Sequence, residues 1–131
     1  MAKEMILFVD DDDVYLNFLV DKFRAIFGSK YLYEKVGTAE EAEDVISDEL
    51  STSGILPSLM VVDWMMPGKK GDQLIRDMNS LYPEIPLVLH SGMLDNQMEK
   101  KLESQVALVC SIGKPWDGET HIDKIKAALQ T

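Results

Sequence analysis

Residues 59–68 of the chain read LMVVDWMMPG, and they carry the clearest indication of the fold. Its four leading apolar residues predict a buried strand, and Pro67-Gly68 predicts the loop that follows. Asp63 is therefore expected at the carboxyl end of a strand, where open α/β sheets keep their ligand sites. Burying this carboxylate costs free energy unless a nearby group compensates its charge. Another part of the chain must supply that compensation.

Four further apolar runs alternate with helical patterns on either side of this strand. The runs cover residues 5–9, 31–36, 87–90 and 107–112. Apolar residues at helical spacing predict helices around residues 16–26, 38–50, 74–81, 94–104 and 122–129. The strict alternation predicts a mostly parallel sheet with helices on both faces. The mixed polarity of residues 31–36 is typical of an edge strand.

Length and composition restrict the possible classes of protein. The 131 residues suit one compact domain over residues 1–131, with no output domain expected. The formal charge of −10 argues against direct binding of nucleic acid. The apolar stretch at residues 5–9 is too short for a signal or membrane segment. The single cysteine, Cys110, is predicted to be a buried hydrophobe, and the default compartment is the cytoplasm.

Polar side chains follow four of the predicted strands. Asp10 and Asp11 follow the first, Asp63 ends the third, Ser91 follows the fourth and Lys114 follows the fifth. In a parallel sheet these ends share one edge, so the groups can converge. Carboxylates about 4 Å apart repel by a few kcal/mol per pair, and Mg²⁺ is the oxygen-seeking cation that suits three of them. Carboxylates, a metal, an ammonium and a hydroxyl together form a site for a phosphoryl group.

Several of these residues also have a purely structural interpretation. Asp12 and Asp13 precede a helix and are expected to cap it and to compensate its dipole. His90 precedes Ser91, so strand alternation points it to the opposite face from that serine. His121 is expected in the last helix. Both His90 and His121 lack metal-ligand spacing and are interpreted as structural. The convergence of four strand ends nevertheless favours a functional site.

The set of motifs resembles that of response-regulator receiver domains of two-component signalling. The motifs are ILFVDDD at residues 6–12, DWMMP at residues 63–67 with Gly71, Ser91-Gly92 and Lys114-Pro115. They extend over essentially the whole chain. The resemblance implies a flavodoxin-like (βα)5 three-layer sandwich with a five-stranded parallel sheet of order 2-1-3-4-5.

The resemblance also implies a role for each acidic residue. Asp63 matches the phosphoacceptor, which takes a phosphoryl group from a sensor histidine kinase, a phosphotransfer protein or a small phosphodonor. Asp10 and Asp11 match the acidic pair that holds Mg²⁺ together with Asp63. Met65 matches the position whose backbone carbonyl completes the metal site.

Two further matches concern the response to phosphorylation. Lys114 matches the lysine that contacts the phosphoryl group, and a cis Lys114–Pro115 bond is expected. Ser91 matches the switch hydroxyl. By analogy the signal leaves through the surface of the fourth helix, fifth strand and fifth helix, through which a homodimer can form.

Three residues depart from the common pattern of the family. Ser111 stands where the family often has the aromatic partner of the switch, which puts the usual coupling in doubt. Met65 and Met93 occupy positions that tune hydrolysis in the family. Their apolar side chains cannot align a water molecule by hydrogen bonding, so slow loss of phosphate is expected.

The chain is expected to be a phosphoacceptor and not a metabolic enzyme. Two other functions are alternatives to this interpretation. A haloacid-dehalogenase-like phosphatase would use Asp10 as its nucleophile, but it leaves Asp63 unexplained and requires a later acidic pair that the sequence lacks. A phosphorylation-inert receiver-like interaction module is the third possibility. The complete Asp10, Asp11, Asp63, Ser91 and Lys114 set argues against it.

Overall fold

The computed structural model describes residues 4–92 and 96–130. Within these residues, strands and α-helices alternate in the predicted way. Their bounds are β1 (Glu4–Val9), α1 (Asp13–Phe27), β2 (Tyr31–Val36), α2 (Ala39–Thr52), β3 (Leu59–Asp63), α3 (Gly71–Leu81), β4 (Leu87–Ser91), α4 (Asn96–Gln105), β5 (Leu108–Gly113) and α5 (Ile122–Leu129). Met93 and the predicted start of the fourth helix at residues 94–95 lie outside the described residues.

The strands form one parallel sheet of order β2-β1-β3-β4-β5. This confirms both the predicted fold and the edge position of β2. Strands β3 and β4 are each one residue longer than the apolar runs indicated, because Asp63 and Ser91 still belong to the ladder. In the register of β3 and β4, Asp63 lies directly opposite His90. The sheet therefore fixes the backbone of the predicted site residues at these two strand ends.

Local signals in the sequence explain where the helices begin and end. The Asp12 side chain accepts a hydrogen bond from the Tyr15 amide and caps α1, as predicted. Gly28 ends α1 with a φ of 79°, a conformation that glycine adopts without a Cβ penalty. Thr38 caps α2 by accepting from the Glu41 amide. His121 was predicted inside the last helix, but it precedes α5 as a left-handed N-cap residue.

Side chains of the sheet alternate between two apolar cores, one on each face. Helices α1 and α5 cover one face, where Phe8, Phe23 and Trp116 are buried. Helices α2, α3 and α4 cover the other face. Trp116 packs against Phe23 with ring centroids 5.1 Å apart. Cys110 is buried in the α1–α5 core as predicted, and burial raises the pKa of its thiol to about 11.

Across residues 4–92 and 96–130, each helix is too short or too polar to cross a bilayer.

Candidate functional site

A cleft lies at the carboxyl edge of the sheet, where β1, β3, β4 and β5 end. Its lining comprises four of the five residues that the strand-end argument predicted to converge, together with three of their neighbours. They are Asp11, Asp12, Asp63, Met65, Ser91, Gly92 and Lys114. Asp10 does not line the cleft but is buried beneath it.

The backbone around Asp63 is held in place by a close approach of the next helix. The Gly71 amide donates to the Trp64 carbonyl at 3.0 Å, and the Trp64 amide donates to the His90 carbonyl at 3.1 Å. A Cβ atom on Gly71 would overlap the backbone carbonyl of Asp63. Only glycine fits at this position, since the start of α3 lies directly against the end of β3.

Lys114 joins the two buried carboxylates. Its ammonium donates to Asp10 Oδ2 at 2.8 Å and lies 3.8 Å from Asp63 Oδ2. It also lies over the Tyr15 ring, 4.7 Å from the centroid. Burial opposes the charge on Lys114, but the hydrogen bond to Asp10 and the attraction of Asp63 outweigh it and raise its pKa. The Asp12 amide donates to the other Asp10 oxygen at 2.9 Å.

One ammonium does not offset the cost of two buried carboxylates. Burial and the neighbouring Asp10 raise the pKa of Asp63 to about 7, although Lys114 acts in the opposite direction. The pair therefore retains part of a proton at neutral pH, unless another cation replaces it. Asp11 is exposed on the solvent side of this pair. Asp10 and Asp63 belong to one buried cluster, and their carboxylate oxygens are ligands that a hard divalent ion accepts.

The end of β5 is tied to the end of β4. The Lys114 amide donates to the Ser91 carbonyl at 3.0 Å. The Lys114–Pro115 peptide bond is cis, as the resemblance predicted. The next amide, that of Trp116, donates to the Tyr15 hydroxyl at 3.2 Å. These contacts set the position from which the Lys114 side chain reaches the carboxylates.

His90 also belongs to the site, although its sequence pattern predicted only a structural role. Strand alternation points it away from Ser91, as predicted, but this is also the face that carries Asp10 and Asp63. Its Nε2 lies 3.9 Å from Asp10 Oδ2, and its ring stacks on Tyr15 with centroids 5.5 Å apart. Burial, and then Lys114, lower its pKa to about 3, so the ring is neutral. The alternation of β3 and β4 together with their register could have revealed this.

Ser111 is buried on the sheet face opposite to His90. Its hydroxyl has no hydrogen-bond partner among the described residues. This position therefore contributes a small unpaired polar group where the family often has an aromatic ring.

Comparisons with known proteins agree with this geometry. Residues 6–126 match the family model described as the response regulator receiver domain. A relative in Dictyostelium discoideum, hybrid signal transduction histidine kinase D, is 29% identical over 125 residues. That match covers 94% of this chain but only 7% of the kinase. The chain thus spans a small fraction of the length of this relative.

Solved structures show the same fold at low identity. One is the signal receiver domain of an HD domain-containing protein from Pseudomonas fluorescens Pf-5, with a TM-score of 0.81 and 20% identity. The superposition covers 99% of this chain and 89% of that one. Another is the BeF3-activated N-terminal receiver domain of Klebsiella pneumoniae RstA, with a TM-score of 0.79 and 21% identity. It covers 98% of this chain and all of that one.

Proposed function

The chain belongs to the response-regulator receiver domain family of two-component signalling, and on that premise we propose that Asp63 is its phosphoacceptor. The observation that carries the proposal is the position of Lys114. Its ammonium lies between a carboxylate buried beneath the cleft, Asp10, and a carboxylate that opens into the cleft, Asp63. An incoming phosphoryl group at Asp63 would therefore meet a positive charge that is already in place.

The proposed reaction is transfer from a phosphohistidine of a sensor histidine kinase or a phosphotransfer protein. A carboxylate oxygen of Asp63 forms a bond to phosphorus, the N–P bond of the phosphohistidine breaks, and the imidazole leaves with the bonding electrons. Mg²⁺ would be held by Asp10, Asp11, Asp63 and the Met65 carbonyl, and when bound it would neutralise phosphoryl charge. Phosphorylation is self-catalysed by the receiver, so no metabolic activity is proposed.

Lys114 and Ser91 would respond to the new group. Lys114 is close enough to Asp63 to exchange its hydrogen bond with Asp10 for one with a phosphoryl oxygen. Ser91 lines the same cleft, and its hydroxyl can donate to another phosphoryl oxygen. The added charge of close to two units would alter the β4–α4 connection and the α4–β5–α5 surface. That surface would bind a second copy or a target protein in the cytoplasm, and the net charge of −10 disfavours direct contact with nucleic acid.

Labelling of two variants tests the choice of nucleophile. The protein is incubated with phosphorylated kinase or acetyl phosphate in Mg²⁺, and acid-stable and base-labile label is measured on Asp63→Asn and Asp10→Asn. We expect the label to vanish on Asp63→Asn and to form more slowly on Asp10→Asn. Label that persists on Asp63→Asn and is lost only on Asp10→Asn would favour the phosphatase-like alternative. The burial of Asp10 beneath the cleft already argues against that role.

Binding of a phosphate mimic tests whether the domain is active or inert. Beryllofluoride and Mg²⁺ are added together, and the fluorescence of Trp64, which follows the phosphoacceptor, is recorded. We expect a change that needs both additions and that is absent from Asp63→Asn. No response in the wild-type protein, with no change in its NMR spectrum, would favour the inert interaction module.

A further inference from the structure

A buried row of side chains crosses the sheet beneath the cleft. It consists of Asp10 directly after β1, Asp63 at the end of β3 and His90 on β4. We propose that this row is a second cation site, which takes a first-row transition metal ion such as Co²⁺ or Zn²⁺ through one imidazole nitrogen and two carboxylates. The site goes beyond the phosphoacceptor role and does not depend on it.

The geometry of the row fits one ion. One ligand atom from each of the three residues lies within 4.8 Å of the other two. All three side chains are buried, so bulk water does not surround this position and cannot fill the whole first coordination shell of an ion bound there. Metal–ligand distances are about 2.0–2.2 Å for imidazole and carboxylate, and a modest contraction of the row would reach them.

The second observation is the state of His90 itself. Its exposed fraction is 0%, and neither ring nitrogen has a hydrogen-bond partner among the described residues. A buried polar group without a partner destabilises the folded protein. The face of the ring stacks on Tyr15, but this contact gives neither nitrogen a hydrogen-bond partner. His90 Nε2 lies 3.9 Å from Asp10 Oδ2, and a metal ion bound between them would give this nitrogen a partner.

The donor set decides which metal the row prefers. Mg²⁺ prefers oxygen ligands in near-ideal octahedral geometry and gains little from an imidazole. Co²⁺ and Zn²⁺ bind imidazole well, and their affinity for mixed nitrogen and oxygen sites exceeds that of lighter divalent ions. Asp11 is exposed and lines the cleft together with Met65, whereas His90 is buried and is not part of that lining. Two cation positions therefore share Asp10 and Asp63 but differ in their remaining ligands.

Lys114 would be the competitor for this row. Its ammonium donates a hydrogen bond to Asp10 Oδ2, the same oxygen that lies 3.9 Å from His90 Nε2. A divalent ion bound between Asp10, Asp63 and His90 would displace this single charge and leave Lys114 without its contact to Asp10. If Asp63 is the phosphoacceptor as proposed above, bound Zn²⁺ would slow its phosphorylation. The Asp63 carboxylate would then be bound to the metal ion, and Lys114 would be displaced from Asp10.

The two histidines of the chain give a direct test in the unmodified protein. Nitrogen-15 NMR of the imidazole rings is recorded on metal-free protein during titration with Zn²⁺ and, separately, with Mg²⁺. His121, outside the row, is the internal control, and His121→Gln assigns the signals. We expect one His90 ring nitrogen to shift to a metal-bound value with one equivalent of Zn²⁺, and neither ring to respond in this way to Mg²⁺. Zn²⁺ that shifts only His121, or neither histidine, would overturn the proposal.

Two variants separate the two cation positions. His90→Leu is expected to weaken Co²⁺ binding at least about tenfold, a typical scale for loss of a metal-site partner, with Mg²⁺ affinity little changed. Asp11→Asn is expected to weaken Mg²⁺ binding while the Co²⁺ absorption spectrum persists. Unchanged Co²⁺ affinity in a folded His90→Leu protein would contradict the inner site, and the NMR titration decides the matter if that variant does not fold. Beryllofluoride binding in Mg²⁺ does not need His90, so failure of the metal site is distinguishable from failure of the phosphoacceptor role.

Discussion

The raised pKa of Asp63 makes a testable statement about stability in the absence of metal. The folded protein holds a proton at this site up to about pH 7, whereas the unfolded chain releases it near the ordinary value of 3.8. Between these two values the native state binds more protons than the unfolded state, so the free energy of unfolding falls as pH rises. The side-chain amide of the Asp63→Asn variant resembles the neutral carboxyl and removes this loss.

The size of the effect follows from the shift. Each pKa unit corresponds to about 1.36 kcal/mol, so the shift of roughly three units gives a difference on the order of 4 kcal/mol once the pH exceeds both values. Asp63 is buried in the fold but opens into the cleft, so screening by the solvent there makes this figure an upper bound. We expect Asp63→Asn to be more stable than the wild-type protein at pH 8, by more than at pH 5.

Urea unfolding in EDTA at pH 5, 6, 7 and 8 measures the difference. The matched control is Asp77→Asn, because the Asp77 carboxylate accepts hydrogen bonds from Lys69 and has a lowered pKa. Its contribution is present above the ordinary pKa, so that variant should be destabilised by a constant amount across the range. Added Mg²⁺ should flatten the wild-type profile, since it holds the ionised carboxylates. A difference between Asp63→Asn and wild type that is independent of pH would refute the reasoning.

Three further predictions concern neighbouring positions. Gly71→Ala should lower the free energy of unfolding by about 3 kcal/mol or more in urea titrations, because its Cβ would overlap the Asp63 carbonyl; a loss below about 1 kcal/mol would show that α3 can move away. Ser111→Ala should raise that free energy by about 1 kcal/mol, because it removes a buried hydroxyl that has no partner among the described residues, and a decrease would indicate an unrecognised partner. The phosphorylated protein should lose its label slowly, and Met65→Asn should shorten the half-life by about tenfold, or about 1.4 kcal/mol in activation free energy, by supplying a polar group that aligns water; rapid loss from the wild-type protein would contradict this.

Local signals in the sequence were sufficient for the elements of the fold. Apolar runs of the right length predicted the strands, and Asp12 was predicted to cap the first helix, which the structure confirms. Chain-local patterns work here because a cap or a buried strand depends on a few consecutive residues. The position of His121 was wrong, since a left-handed N-cap residue cannot be distinguished by periodicity from the first residue of a helix.

The class of fold and the polar groups that end its strands follow from the sequence alone, because alternating β and α patterns favour parallel strands whose carboxyl ends share one edge. The tertiary structure decided how those groups meet. It paired Lys114 with Asp10 across 104 positions of sequence, a distance over which no local pattern carries information. It also placed His90 beside Asp63 through strand register, since pairing between neighbouring strands depends on the whole sheet.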